Sequence, residues 1–257
     1  WSLLRLARVH RETGQLERGA WLGYLTSLSF LFWLHNMGAL YVAALGLGLL
    51  ILIGPRILLR DHWRPFLVGH LAVVAIALPA VFILLDQAPA WVGSTWLKFN
   101  PATLLDDILL IFGLPGLFGL LAALVLGSTA ILALHDSRTM LALLVIALTP
   151  MLLELVLTLG IAPVFLPRTL VASGIPLILL IAAGADQGLL QRATFALLLA
   201  MALVRVMQVQ QLPPQQNWYG AVNWLTPKLA PGGRVCAYPN EGALPLHFAV
   251  RDLGRTA

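Results

Sequence analysis

The chain has 257 residues, of which 60% are hydrophobic and 11% charged, with a mean hydropathy of +0.88; soluble domains carry about 25% charge, so a soluble globular protein is excluded. The net charge of +5 and isoelectric point near 10 are those of loops held on the cytoplasmic side of a membrane, not of a nucleic-acid surface, and no nucleic-acid partner is expected. The single cysteine, Cys236, excludes an internal disulfide and a cysteine metal cluster.

Residues 1–20 are polar and basic (Arg5, Arg8, Arg11, Arg18) and read as a cytoplasmic segment. They carry no signal-peptide pattern and open on Trp1, so a preceding segment is expected. Seven apolar stretches follow, at 21–34, 37–53, 65–85, 115–134, 139–161, 169–185 and 189–206. The clearest, 65–85, has no charge, and as a helix it is roughly 30 Å long, the thickness of a hydrocarbon core. The expected fold is an all-α integral membrane protein of about seven transmembrane helices over 21–206, with a small external α/β segment at 207–257 that is itself incomplete.

His35-Asn36 makes a tight turn between the first two spans, and Gly54-Pro55 ends the second. Arg56, Arg60, Asp61 and Arg64 form a basic loop before the third. A long connection, 86–114, leads to the fourth span. Short polar turns at 135–138 and 186–188 and the turn 162–168 join the rest. With the N-terminus inside, the inner segments collect Arg5, Arg8, Arg11, Arg18, Arg56, Arg60, Arg64, Arg138 and Arg192, against Lys98 and Arg168 outside. Nine against two is a strong positive-inside bias, and it places the C-terminus outside. The turn at His35-Asn36, the 86–114 connection and the 162–168 turn then share the external face, where the chemistry is to be sought. One broken helix over 21–53 would invert everything downstream.

Beyond Pro213-Pro214 the composition becomes that of a soluble module. Trp218, Ala221, Val222, Leu225 and Leu229 have helical spacing, Pro231-Gly232-Gly233 is a turn, 234–238 reads as a strand and 241–251 as a second helix.

Each candidate residue has two readings. Arg168, after Pro167, either holds a lipid phosphate bidentately or anchors a helix end by snorkelling. The His35 imidazole either bonds a pyrophosphate or sugar hydroxyl, or with Asn36 meets water where two helices turn. Glu154, seven residues inside the outer end of the fifth span and hence about 10 Å deep, is a possible intramembrane polar site or a paired structural carboxylate beside Pro150. Asp106-Asp107 could bind a metal, yet helical neighbours point about 100° apart. Asn100-Pro101 reads as a cap and first-turn proline, which makes 101–112 an interfacial amphipathic helix with its aspartates toward water. Trp91, Trp96 and Lys98 suit an interfacial belt or a flap over a lipid-linked substrate. Gly113, Gly116 and Gly119 recur every third residue, as for close helix packing. No phosphate loop, zinc spacing or nucleophile elbow occurs; the residues name no cofactor and no metal site, and leave a divalent metal open.

Phe32-Trp33-Leu34-His35-Asn36, then Phe165-Leu166-Pro167-Arg168-Thr169-Leu170, then a helix with Ile175-Pro176 and Ala182-Ala183-Gly184 together resemble the bacterial family-39 glycosyltransferases, multispanning enzymes of the GT-C class. Asn217-Trp218-Tyr219-Gly220-Ala221 and Pro231-Gly232-Gly233-Arg234-Val235 are similar to their extracytoplasmic tail. The resemblance implies a bacterial inner-membrane enzyme. It would move a hexosyl or pentosyl group from a polyprenyl-phosphate sugar to a lipid, glycan or protein acceptor on the external face. It maps the donor-phosphate arginine of a Pro-Arg-Tyr-Leu pattern to Arg168, with Thr169 in the tyrosine's place. It maps the histidine of a Thr-His-Tyr pattern to His35, between Leu34 and Asn36. The family's catalytic acid lies in an external loop N-terminal to all of this, so the catalytic residue is unassigned and this chain alone is expected to be inactive. The rival reading is a transporter or lipid flippase, which calls for polar groups along a midplane path; Glu154 alone answers it. A noncatalytic membrane scaffold is a third.

Overall fold

A computed structural model describes residues 1–34, 37–94, 99–112, 114, 116–134, 136–161, 164–165, 167–210, 217–228, 235 and 243–252; at 90–94, 167–168, 205, 209–210 and 243–244 the backbone alone is described. The described residues are helical, with no strand among them. In order they form α1 (Ser2–Thr13), α2 (Arg18–Leu34), α3 (Gly38–Ile53), α4 (Pro55–Arg60), α5 (Trp63–Ser94), α6 (Leu104–Ile111), α7 (Gly116–Ala133), α8 (Ser137–Gly160), α9 (Gly174–Ala185), α10 (Leu189–Gln210), α11 (Trp218–Leu225) and α12 (Ala243–Asp252). Short 3-10 turns cover Pro101–Thr103, Pro167–Ser173 and Thr226–Lys228. Two compact units divide the chain, Trp1–Ala202 and Leu203–Ala257.

Four helices are long and apolar enough to cross a membrane: Trp63–Pro89, Gly116–Ala133, Ser137–Gly160 and Leu189–Gln208. Their outward faces carry exposed apolar side chains such as Leu71, Val74, Phe82, Leu124, Leu132, Val156 and Leu203. That is the surface of a membrane protein, whose helices have no hydrophobic reason to hide leucine from lipid. The other three expected spans are helical but short. α2 has 17 residues and α3 has 16, about 25 Å each.

α2 and α3 are a hairpin and not one broken helix. A Cβ on Gly38 would lie 1.8 Å from the Leu31 carbonyl oxygen, so only glycine lets the returning backbone approach so closely. Gly23 and Gly48, near the far ends of the two helices, both face the start of α1, at Ser2 and Leu3. α1 is thereby docked: Leu3, Leu6 and Ala7 are buried among Tyr24, Leu28, Leu49 and Leu52. Arg5 closes the α1–α2 link by a bidentate pair with Glu17, its Nε 2.7 Å from Oε2.

α3 runs antiparallel against α8, with Gly48 against Ile146, Tyr41 joined through Thr169 to Glu154, and Leu52 and Ile53 sharing a cavity wall with Asp136. α7 meets α9 as closely, for a Cβ on Gly184 would lie 1.9 Å from the Leu126 carbonyl oxygen. α5 leans on α2 through Trp21, Tyr24, Phe66 and His70, whose rings lie 4.4–6.0 Å apart.

Three expectations change. α5 does not stop at Leu85 but continues to Ser94, since Asp86 and Gln87 are tolerated in a helix and the turn is alanine-rich. The 86–114 connection is therefore helical at its start. The span expected over 169–185 begins as a 3-10 turn and becomes α-helical at Gly174, which puts Pro176 in the first turn, where its missing N–H leaves no ladder bond unmade. Gly116 does not serve helix packing: its φ of +66° starts α7, and a Cβ there would meet nothing within 4 Å. Gly113 lies outside the described residues, whereas the buried Pro150 sits within α8 without ending it.

In the second unit α11 and α12 pack together, burying Val222 and Ala249. Asn217 caps α11 through the Gly220 N–H at 2.8 Å, and the Tyr219 hydroxyl donates to Asp252 at 3.0 Å. Apart from Val235, the strand expected over 234–238 falls outside the described residues.

Candidate functional site

Two groups of polar residues in the first unit lie at the two ends of the α3–α8 pair. One end is built around Glu154. Six residues before the close of α8, its side chain has no exposure. A buried carboxylate is tolerable only with donors around it. The Thr169 hydroxyl supplies one, at 2.9 Å from Oε1 and 3.3 Å from Oε2. Thr169 also accepts: its carbonyl takes the Tyr41 hydroxyl at 2.9 Å. The buried Ser173 hydroxyl lies beside that phenol. A polar chain thus runs from the start of α3, through the 3-10 turn Pro167–Ser173, to the last third of α8.

α6 covers this turn. Ile111 and Phe112 are buried with Phe165 and Leu170, against Met151 and Leu155 of α8. Phe99 meets Phe165 edge-on at 5.7 Å. The amphipathic helix expected over 101–112 is present, capped by the Asn100 side chain on the Ala102 N–H at 3.1 Å. Its apolar face, however, meets protein as well as any membrane, because Phe165 and Leu170 offer it an apolar seat. Asp106 is exposed, and Asp107 accepts from the Thr103 hydroxyl at 3.2 Å. Among the described residues no group of three or more His, Cys, Asp or Glu is placed to hold a metal.

Arg168 lies within the 3-10 turn, one residue before Thr169, so its backbone is fixed by the Glu154–Thr169–Tyr41 chain. Its side chain lies outside what is described, as do His35, Trp96 and Lys98 altogether. Met37, the first described residue after the His35 turn, caps α3 one turn before Tyr41. An apolar cavity of about 150 Å³ opens beside this end, lined by Phe32, Trp33, Ala39 and residues of α5 from Ala80 onward. The Trp33 indole donates to the Ile76 carbonyl at 3.2 Å, in the turn that Pro79 loosens. Sequence reading singled out Glu154 but missed Tyr41, Thr169 and Ser173. A tyrosine one turn into an apolar helix was the signal available.

The opposite end carries the start of α8. Asp136 caps it, accepting from the Thr139 N–H at 3.3 Å and the Thr139 hydroxyl at 2.6 Å, and pairs with Arg11 at 2.8 Å. Burial pushes the Asp136 carboxyl up, but the Thr139 and Arg11 bonds outweigh it and leave the group below its ordinary value. No protein family, characterised protein or solved structure matches this chain.

Proposed function

We propose that this membrane protein is a glycosyltransferase of the GT-C kind that handles a polyprenyl-phosphate-linked sugar, with Arg168 as the cation for the donor phosphate. The observation that carries the reading is the Glu154–Thr169–Tyr41 chain, which fixes the turn bearing Arg168 against the start of α3, a few residues from His35. A guanidinium recruited to a phosphate works best when its backbone is already held, since little ordering is left to do on binding. Two neighbours suit such a donor: α6 closes over the turn, and the apolar cavity at Trp33 has the character a prenyl chain requires. In this reading the seven apolar helices all cross the bilayer, this end faces outside the cell, and the basic end around α1 faces the cytoplasm of a bacterium. The general base is left unassigned; neither Asp106 nor Glu154 is placed in that role.

The test is transfer of labelled sugar from a polyprenyl-phosphate donor by membranes containing the full-length protein. Arg168→Ala is expected to lower the rate by on the order of a hundredfold, with Arg168→Lys recovering part of it. An unchanged rate at unchanged expression would remove Arg168 from the site.

The burial of Glu154 favours a second reading, transport, in which the carboxylate is a midplane group. That reading requires solute or lipid movement lost in Glu154→Gln and retained in Arg168→Ala, the reverse of what a transferase predicts.

A further inference from the structure

A cavity of about 260 Å³ lies at the basic end of the first unit, between α1, the close of α3, α4 and the start of α8. At roughly 30 Å³ per water it has the volume of about eight waters, ample for a phosphate and its ester. Its apolar floor comes from α3 and α4, and its polar wall from His10, Arg11, Asp136 and Arg138. The charges do not balance. Asp136 is the one carboxylate in that wall, and Arg11 takes it at 2.8 Å. Arg138 forms no ion pair among the described residues. The buried Nδ1 of His10 has no hydrogen-bond partner. His62 meets the His10 ring edge-on at 5.4 Å, with its own Nε2–H donating to the Gly14 carbonyl at 3.2 Å.

Arg138, an exposed guanidinium with no carboxylate, shares this space with the His10 ring and with Arg11, which pairs with Asp136 and also reaches the Ala7 carbonyl and the Thr139 hydroxyl at 3.4 Å. Such a space fits a tetrahedral anion, which offers oxygens in several directions and more charge than one carboxylate. We propose that this cavity binds a phosphate group, with Arg138 and Arg11 as its cations and the His10 ring in its wall. The phosphate belongs either to a lipid headgroup at the membrane surface or to a soluble phosphate compound. The site is at the opposite end of α3 and α8 from Arg168 and does not rest on the transferase reading.

Electrostatics give the pH profile a direction. Burial first, and then the neighbouring His62, lower the His10 pKa from its ordinary value, while the Gln15 backbone and then Asp61 oppose them. His10 is therefore neutral near pH 7. Its protonation adds a third cation beside Arg11 and Arg138, with Asp136 the opposing charge, and favours binding as pH falls; the phosphate itself loses its second charge at about pH 6 to 7, so the His10 contribution is the difference between the parent and His10→Gln profiles.

The experiment uses the full chain in neutral detergent. Inorganic phosphate is titrated calorimetrically, and phosphatidate against phosphatidylcholine is followed by native mass spectrometry. Saturable one-to-one binding of at least one phosphate probe is expected, weakened about tenfold or more in Arg138→Gln, the loss of one charge-assisted bond. His10→Gln is expected to lose more affinity relative to the parent at pH 5 than at pH 7.5, and Arg192→Gln, an exposed residue paired with Asp186 elsewhere, to bind as the parent does. Binding of phosphatidate alone assigns the site to a headgroup; binding of inorganic phosphate, with or without phosphatidate, assigns it to the phosphate itself. Binding of neither probe, or equal binding by the parent, Arg138→Gln and His10→Gln, overturns the proposal, and parent and His10→Gln profiles of the same shape between pH 7.5 and 5 remove His10 from it.

Discussion

At position 154 a carboxylate lies fully buried in an otherwise apolar helix, and its donors decide whether that helix is comfortable there. Sequence alone identified Glu154, because a lone acid in a long apolar run is conspicuous. It could not identify Thr169, fifteen residues away, which stands where the resembled family has tyrosine and supplies the hydroxyl the carboxylate needs. Replacing Thr169 by valine keeps the shape and removes that donor; a loss of about 1 kcal/mol of stability is expected, within the range for membrane hydrogen bonds. The check is a lower midpoint for thermal unfolding in detergent, with Thr169→Ser close to the parent. His10 makes a prediction of the opposite kind. Its folded-state pKa lies below its unfolded value, so its contribution is present above about pH 6.5 and is lost as pH falls through the lower folded value. In phosphate-free buffer the melting temperature should therefore drop between pH 7 and 5, and His10→Gln should reduce that drop. The lowered Asp136 carboxyl acts in the same direction but only below its ordinary value of 3.8, outside this window.

At the scale of elements, apolar length is the signal that carried over best. Every expected span is a helix, since a run without charges or breakers leaves the backbone no better way to satisfy its polar groups. Boundaries carried over less well. Asp86 marks the end of apolarity but not of helicity, so α5 runs on to Ser94, and the α-ladder of α9 begins only at Gly174, with Pro176 in its first turn. Helix partners were not legible. The glycine run at 113–119 drew notice by its spacing, whereas the close approaches are made by Gly38 and Gly184, single glycines facing the carbonyls of Leu31 and Leu126. Which glycine meets a neighbour depends on the helix it faces, and spacing along one helix does not hold that information. Gly184→Val should force α7 and α9 apart and cost on the order of 2 kcal/mol, read as a fall in thermal midpoint. The same change at Gly46, where a Cβ meets nothing within 4 Å, should cost far less.

For the whole molecule, the antiparallel α3–α8 pair separates two polar ends by most of a helix. From Tyr41 to Ile53 is about 18 Å along α3. Tyr41, Glu154 and Thr169 stand at one end, and His10, Arg11, Asp136 and Arg138 at the other. Counting arginines by loop predicts that these ends face opposite sides of the bilayer, the second toward the cytoplasm. The account of a donor phosphate at Arg168 depends on that separation, because a substrate reached from outside must find Arg168 there. The direct measurement is compartment-sensitive reporter insertion in the intact chain, after residue 60 in one version and after residue 210 in another. The account predicts the first reporter active only inside the cell and the second only outside; both reporters active in the same compartment would contradict it.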